Sequence, residues 1–91
     1  MLTPLSTRKY KKSFKKLKQS GKFKEEGLNE VIDMLCKGQI LDPTYQDHPL
    51  HGEYEGYREC HIRGDILLIY EIKDQELILV LINIGSHSEL F

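Results

Sequence analysis

The chain has no tryptophan, only two cysteines and only three prolines in 91 residues, and each scarcity closes off a class of protein. Cys36 and Cys60 form no C-x-x-C pair and are too few to staple a small secreted scaffold. The longest apolar run, "LILVLI" at residues 77–82, is far shorter than the roughly 20 residues that span a bilayer. "MLTPLSTRKYKK" carries no apolar stretch ahead of a cleavage site, so no signal peptide is expected. No repeat and no low-complexity linker interrupts the chain. One soluble, cytoplasmic domain covering residues 1–91 is therefore expected. A chain this short buries only about 60–65% of its unfolded surface, which leaves no room for a large cofactor, and none is expected.

Acidic residues are missing altogether from the first 24 positions, although the chain holds fourteen. That stretch carries Arg8, Lys9, Lys11, Lys12, Lys15, Lys16, Lys18, Lys22 and Lys24, so the formal net charge of −1 conceals a strongly basic end. Such a division suggests a polyanion-binding surface, though a solvated helix face gives the same composition.

What is present follows two periods. "LTPLS" reads as a short edge strand, where Pro4 is tolerated. Ser6 or Thr7 then caps a helix whose Tyr10, Phe14 and Leu17 form one apolar stripe between lysines, with Gly21 as its stop. Leu28, Val31, Ile32 and Leu35 give the i, i+3, i+4, i+7 pattern of a second helix ended by Gly38, antiparallel to the first. "QILDPTYQDHPLHGEYEG" reads as a loop. "YRECHIR", "ILLIYEI" and "LILVLINI" read as three strands joined at Gly64-Asp65 and at residues 73–75. The expected class is α+β, in the order β-α-α-β-β-β, closing with a three-stranded antiparallel meander whose middle strand is covered on one face by the helices.

Three of the four histidines lie in "DHPLHGEYEGYRECHIRGD", and the fourth, His87, is in the terminal "GSHSELF". Alternation in "YRECHIR" turns Cys60 and Ile62 to the core and puts Tyr57, Glu59, His61 and Arg63 on the other face. His61 is then half-exposed beside a carboxylate and a guanidinium, and Cys60 is an inert buried thiol. His48 and His51 have H-x-x-H spacing, but Pro49 keeps them off a helix and no third ligand stands at a familiar spacing, so no metal site is expected. Acid–base chemistry fits better, because an imidazole both takes and gives protons near neutrality. RNA brings its own nucleophile, the 2′-hydroxyl. Its cleavage needs a base, an acid, and positive charge facing the phosphorane, and histidines with Arg58 or Arg63 beside a lysine-covered helix are suitable parts.

The segments together are similar to the YafQ branch of the RelE-like toxins, bacterial toxin–antitoxin endoribonucleases. That branch shows D-H-x-L-x-G, then G-[YF]-R-[DE]-x-H-[IV], an aspartate opening a strand that ends in tyrosine, and a terminal G-[ST]-H-x-x-L-F. Here these read "DHPLHG", "GYRECHI", Asp65 to Tyr70, and "GSHSELF". The resemblance is strong from Tyr45 to Phe91 and looser over the basic helices.

The resemblance implies an mRNA interferase that enters the ribosomal A site, cuts translated mRNA, and is neutralised by a cognate antitoxin. It implies catalytic places for His48, His61, Asp65 and His87, and an mRNA contact for Phe91. Arg58, Arg63, Lys11, Lys12, Lys15 and Lys16 are the candidate RNA-binding cations, with Arg58 on the opposite strand face from His61. Ile66 departs from relatives that carry tryptophan there, and His51 is an additional histidine, so the division of acid and base roles stays open. Two alternatives share the architecture: a toxin that poisons DNA gyrase, and a catalytically silent RNA- or antitoxin-binding homologue.

Overall fold

The computed structural model describes residues 1–21 and 23–91; Lys22, counted above with the basic run, lies outside them. β1 (Thr3–Ser6) leads into α1 (Arg8–Gln19) and α2 (Glu25–Cys36), followed by β2 (His48–Pro49), β3 (Arg58–His61), β4 (Ile66–Lys73), β5 (Ile78–Ser86) and a one-turn helix α3 (His87–Leu90). The five strands form one mixed sheet in the order β1-β5-β4-β3-β2. The meander is antiparallel as expected, and β1 lies at one edge, parallel to β5.

Local chemistry explains the element ends. The Thr7 side chain accepts from the Tyr10 amide and caps α1, while its hydroxyl is also 2.9 Å from the Leu81 and Ile82 carbonyl oxygens, tying the cap to β5. Tyr10 is buried, and Phe14 and Leu17 pack beside it. Leu28, Val31 and Leu35 bury the inner face of α2, and Gly38 at φ 73° closes it in the left-handed conformation. Both helices cover the same sheet face, over Cys60, Leu68, Tyr70, Leu79, Leu81 and Ile84.

Two features differ from the sequence reading. The loop after Gly38 donates a two-residue strand, β2, which pairs with β3 (His48 opposite Glu59, Pro49 opposite Arg58). A pair this short at an edge tolerates a proline and leaves little periodic signal. The second difference concerns β4, which is buried on both faces. Leu67 and Ile69 pack under Leu90 of the tail, with Leu50, Tyr54, Tyr57 and Ile82 around them. This second layer explains why β4 is apolar at successive positions. A bulge opposite Ile69 and Tyr70 skips Ile82. It shifts the alternation of β5, so that Leu81 and Ile84 both join the helix-side core. Asn83 accepts from the Ile84 amide at 2.9 Å and from Ser13 of α1 at 2.7 Å, so the irregular segment keeps its polar groups satisfied.

Candidate active site

The face opposite the helices carries the histidines. The register places His48 across from Glu59 and Glu59 across from Ile69, with His61 across from Leu67 in the next row. Glu59 is only 5% exposed, whereas the sequence reading put it on a solvated face; the tail and the 50–57 loop roof that face. Its Oε1 is 3.5 Å from His48 Nε2 and 3.9 Å from His61 Nε2. Its Oε2 is buried without a hydrogen-bond partner. One carboxylate thus stands between two imidazoles.

His48 Nδ1 lies 2.6 Å from the Gln46 carbonyl oxygen. A carbonyl only accepts, so Nδ1 is the protonated nitrogen and Nε2 faces the carboxylate. A lone pair facing a carboxylate repels it, so a proton belongs between His48 Nε2 and Glu59. It makes the pair either imidazolium–carboxylate or imidazole–carboxylic acid. Such a pair can hold and pass a proton.

His87 arrives from the tail. Ser86 caps α3 with a capping box: its side chain accepts from the Glu89 amide, and the Glu89 carboxylate accepts from the Ser86 amide at 2.9 Å. These bonds hold the Glu89 carboxyl below its ordinary value. Leu90 anchors α3 on Leu67 and Ile69, the register partners of His61 and Glu59. The Tyr54 hydroxyl is 3.3 Å from the Leu90 carbonyl, its ring meets Phe91 edge-on at 5.4 Å, and Phe91 in turn lies 5.3 Å from the His87 ring. Phe91 remains about half-exposed, with a free surface for stacking.

The other expected residues lie further out. Asp65 is exposed in the turn before β4 and has no hydrogen-bond or ion-pair partner among the described residues, so the carboxylate nearest the imidazoles is Glu59. His51 is exposed and precedes a 3-10 turn at Gly52–Tyr54. Arg63 borders a shallow cleft with Lys24, Phe23, Ile62 and Ile66. Arg58, on the opposite face as its parity requires, lies 3.3 Å from Asp47 through Nε. Burial works against its charge, but bonds to Asp47 and Tyr70 hold its pKa above the ordinary value. Cys60 is fully buried, and desolvation pushes its thiol up to about 12, which leaves it inert. Sequence reasoning missed Glu59 as the centre of the cluster and Tyr54 as the tail's support. The motif's glutamate, two residues before a histidine on one strand face, was the available signal for the first.

A mixed sheet backed by a two-helix hairpin, with histidines gathered on the other face, defines a RelE-like toxin. Residues 2–91 match the family model of the bacterial toxin of type II toxin–antitoxin system, YafQ, and the chain belongs to that family. The mRNA interferase toxin YafQ of Escherichia coli is 41% identical over 65 residues, 70% of this chain and 68% of that protein. A Haemophilus influenzae protein bearing the YafQ toxin name is 50% identical over 64 residues; the match spans 63% of its length. A metal-bound toxin from Helicobacter pylori superposes with a TM-score of 0.92 at 46% identity, covering 100% of each chain. A chain of the Escherichia coli DinJ–YafQ complex gives 0.85 at 28% identity, covering 100% of this chain and 99% of that one.

Proposed function

We propose that this toxin is a ribosome-dependent endoribonuclease that cuts mRNA by 2′-hydroxyl attack, with histidines as general acid and base. The observation that carries the reading is the buried Glu59 carboxylate between His48 and His61. In this mechanism the His48–Glu59 pair accepts the 2′ proton, with His61 beside it on the same carboxylate. His87 gives a proton to the departing 5′-oxygen, and Phe91 stacks on a base. Asp65 and Arg63, both exposed next to β3 and β4, supply charge at the rim. The name of the Escherichia coli relative supports mRNA as substrate, and the DinJ–YafQ complex supports a cognate antitoxin as partner. The site of action is the cytoplasmic ribosome, at its A site.

The similar Helicobacter pylori toxin is described as metal-bound. In this chain no group of three or more His, Cys, Asp or Glu gathers to hold an ion among the described residues, and no step of the proposal passes through one. RNA supplies the nucleophile, so cleavage is expected to persist in chelator.

The test is cleavage of translated mRNA by the purified protein on ribosomes, with the product ends mapped. His87→Ala should lower the rate by about 10²–10⁴-fold. The products should end in a 2′,3′-cyclic phosphate or its hydrolysis product. Products with a 3′-hydroxyl and a 5′-phosphate, or a folded His87→Ala variant of full activity, would overturn the mechanism. Gyrase poisoning would instead stall DNA supercoiling and leave mRNA whole.

A further inference from the structure

Asp47 and His48 are consecutive, and extended backbone sends consecutive side chains to opposite faces of a sheet. His48 goes to the Glu59 face. Asp47 goes to the helix side, where its Oδ1 accepts from the Tyr70 hydroxyl and from Arg58 Nε. Tyr70 is fully buried and is the register partner of Arg58, so the three side chains form a bridge from β4 through β3 to the outermost strand. β2 itself has two residues, begins after Gln46 in the left-handed conformation at φ 50°, and includes Pro49, which has no amide hydrogen. Two ladder positions alone hold an edge weakly.

We infer that Asp47, Arg58 and Tyr70 are positioning residues, a clamp on the far side of the sheet that fixes the Asp47-His48 dipeptide and thereby aims the His48 imidazole at Glu59. The inference rests on the nuclease reading for the role of His48. It reassigns Arg58 from phosphate contact to structural partner, because its Nε is committed to Asp47. The Asp47-His48 and Arg58-Glu59 dipeptides then work alike: the first residue of each is an anchor below the sheet, and the second is a working group above it.

The experiment compares Tyr70→Phe, which deletes one hydroxyl, with Arg58→Gln, which deletes the charge. Three quantities are read: kcat and KM on ribosome-bound mRNA, the salt dependence of ribosome binding, and the imidazole NMR signals of the free full-length chain. Both variants should lose kcat, by up to about 10²-fold for a misplaced catalytic group, with KM little changed. The salt slope should match the wild type, and the His48 Nδ1 proton signal should shift or broaden while those of His61 and His87 stay. Unchanged His48 signals in both variants would overturn the clamp. So would a slope reduced by about 0.7–0.9 in Arg58→Gln, the mark of a lost phosphate contact. Should Tyr70→Phe fold poorly, Asp47→Asn carries the same readouts at a partly exposed site. A wild-type protein that leaves mRNA whole would remove the proposed function, whereas the His48 signals would still decide the clamp.

Discussion

At the scale of residues, the unusual group is Glu59. A buried carboxylate oxygen without a partner costs free energy, since a desolvated polar group recovers nothing from water. Such a cost commonly marks a functional site, where stability is given up for chemistry. Glu59→Gln keeps the shape and removes the charge. It should raise stability by about 0.5–2 kcal/mol while lowering kcat, read as a higher urea midpoint together with slower mRNA cleavage. A variant that is both less stable and fully active would show that Glu59 holds the fold and nothing else. Strand alternation in "YRECHIR" already put Glu59 and His61 on one face. It could not show that Leu50, Tyr54, Tyr57 and Leu90 would roof that face, because loop and tail carry no period from which their docking can be read.

At the scale of elements, the periodic parts were legible and the irregular ones were not. Two amphipathic helices and three strands follow from hydrophobic spacing, since each buries one face or a whole strand. The bulge at Ile82, the two-residue β2 and the one-turn α3 depend on contacts far apart in sequence. The tail shows this dependence best. Ser86 ends β5, caps α3 and so sets the direction in which His87 and Phe91 leave the sheet. Ser86→Ala should cost the cap about 1 kcal/mol. The Phe91 amide, now 3.0 Å from the His87 carbonyl, should lose hydrogen-exchange protection while the core stays protected. Acid should act alike. The Glu89 carboxyl is held below its ordinary 4.5 first by the Ser86 backbone amide. Its contribution is therefore complete above that value and lost as pH falls through the lower folded value. Protection at Phe91 should fall in that acidic window in the wild type and show a weaker pH dependence in Glu89→Gln. An equal decline in both would assign the acid effect to another group.

At the scale of the whole molecule, charge and shape are divided between the two layers. The first 24 residues carry nine basic groups and no acid. In α1 the stripe of Tyr10, Phe14 and Leu17 faces the core, so Lys11, Lys12, Lys15 and Lys16 are left on the exposed side. Lys16 and Glu89 approach to 3.8 Å, but the lysine side chain is 80% exposed, and a bridge so open to water contributes little. The four lysines are thus available to a polyanion, and ribosomal RNA or an acidic antitoxin segment is the partner this surface fits. Replacing all four by alanine touches no buried contact and favours helix, so the variant should fold. Each lost phosphate contact lowers the salt slope of binding by about 0.7–0.9, so four contacts would flatten it by about 3. Ribosome binding at low salt should therefore weaken far more than at high salt, while cleavage by ribosomes already saturated with the variant should stay near the wild-type rate. Ribosome affinity with an unchanged salt dependence would show that α1 is merely a solvated face, and would move the electrostatic footprint to the Arg63 and Lys24 rim beside the active site.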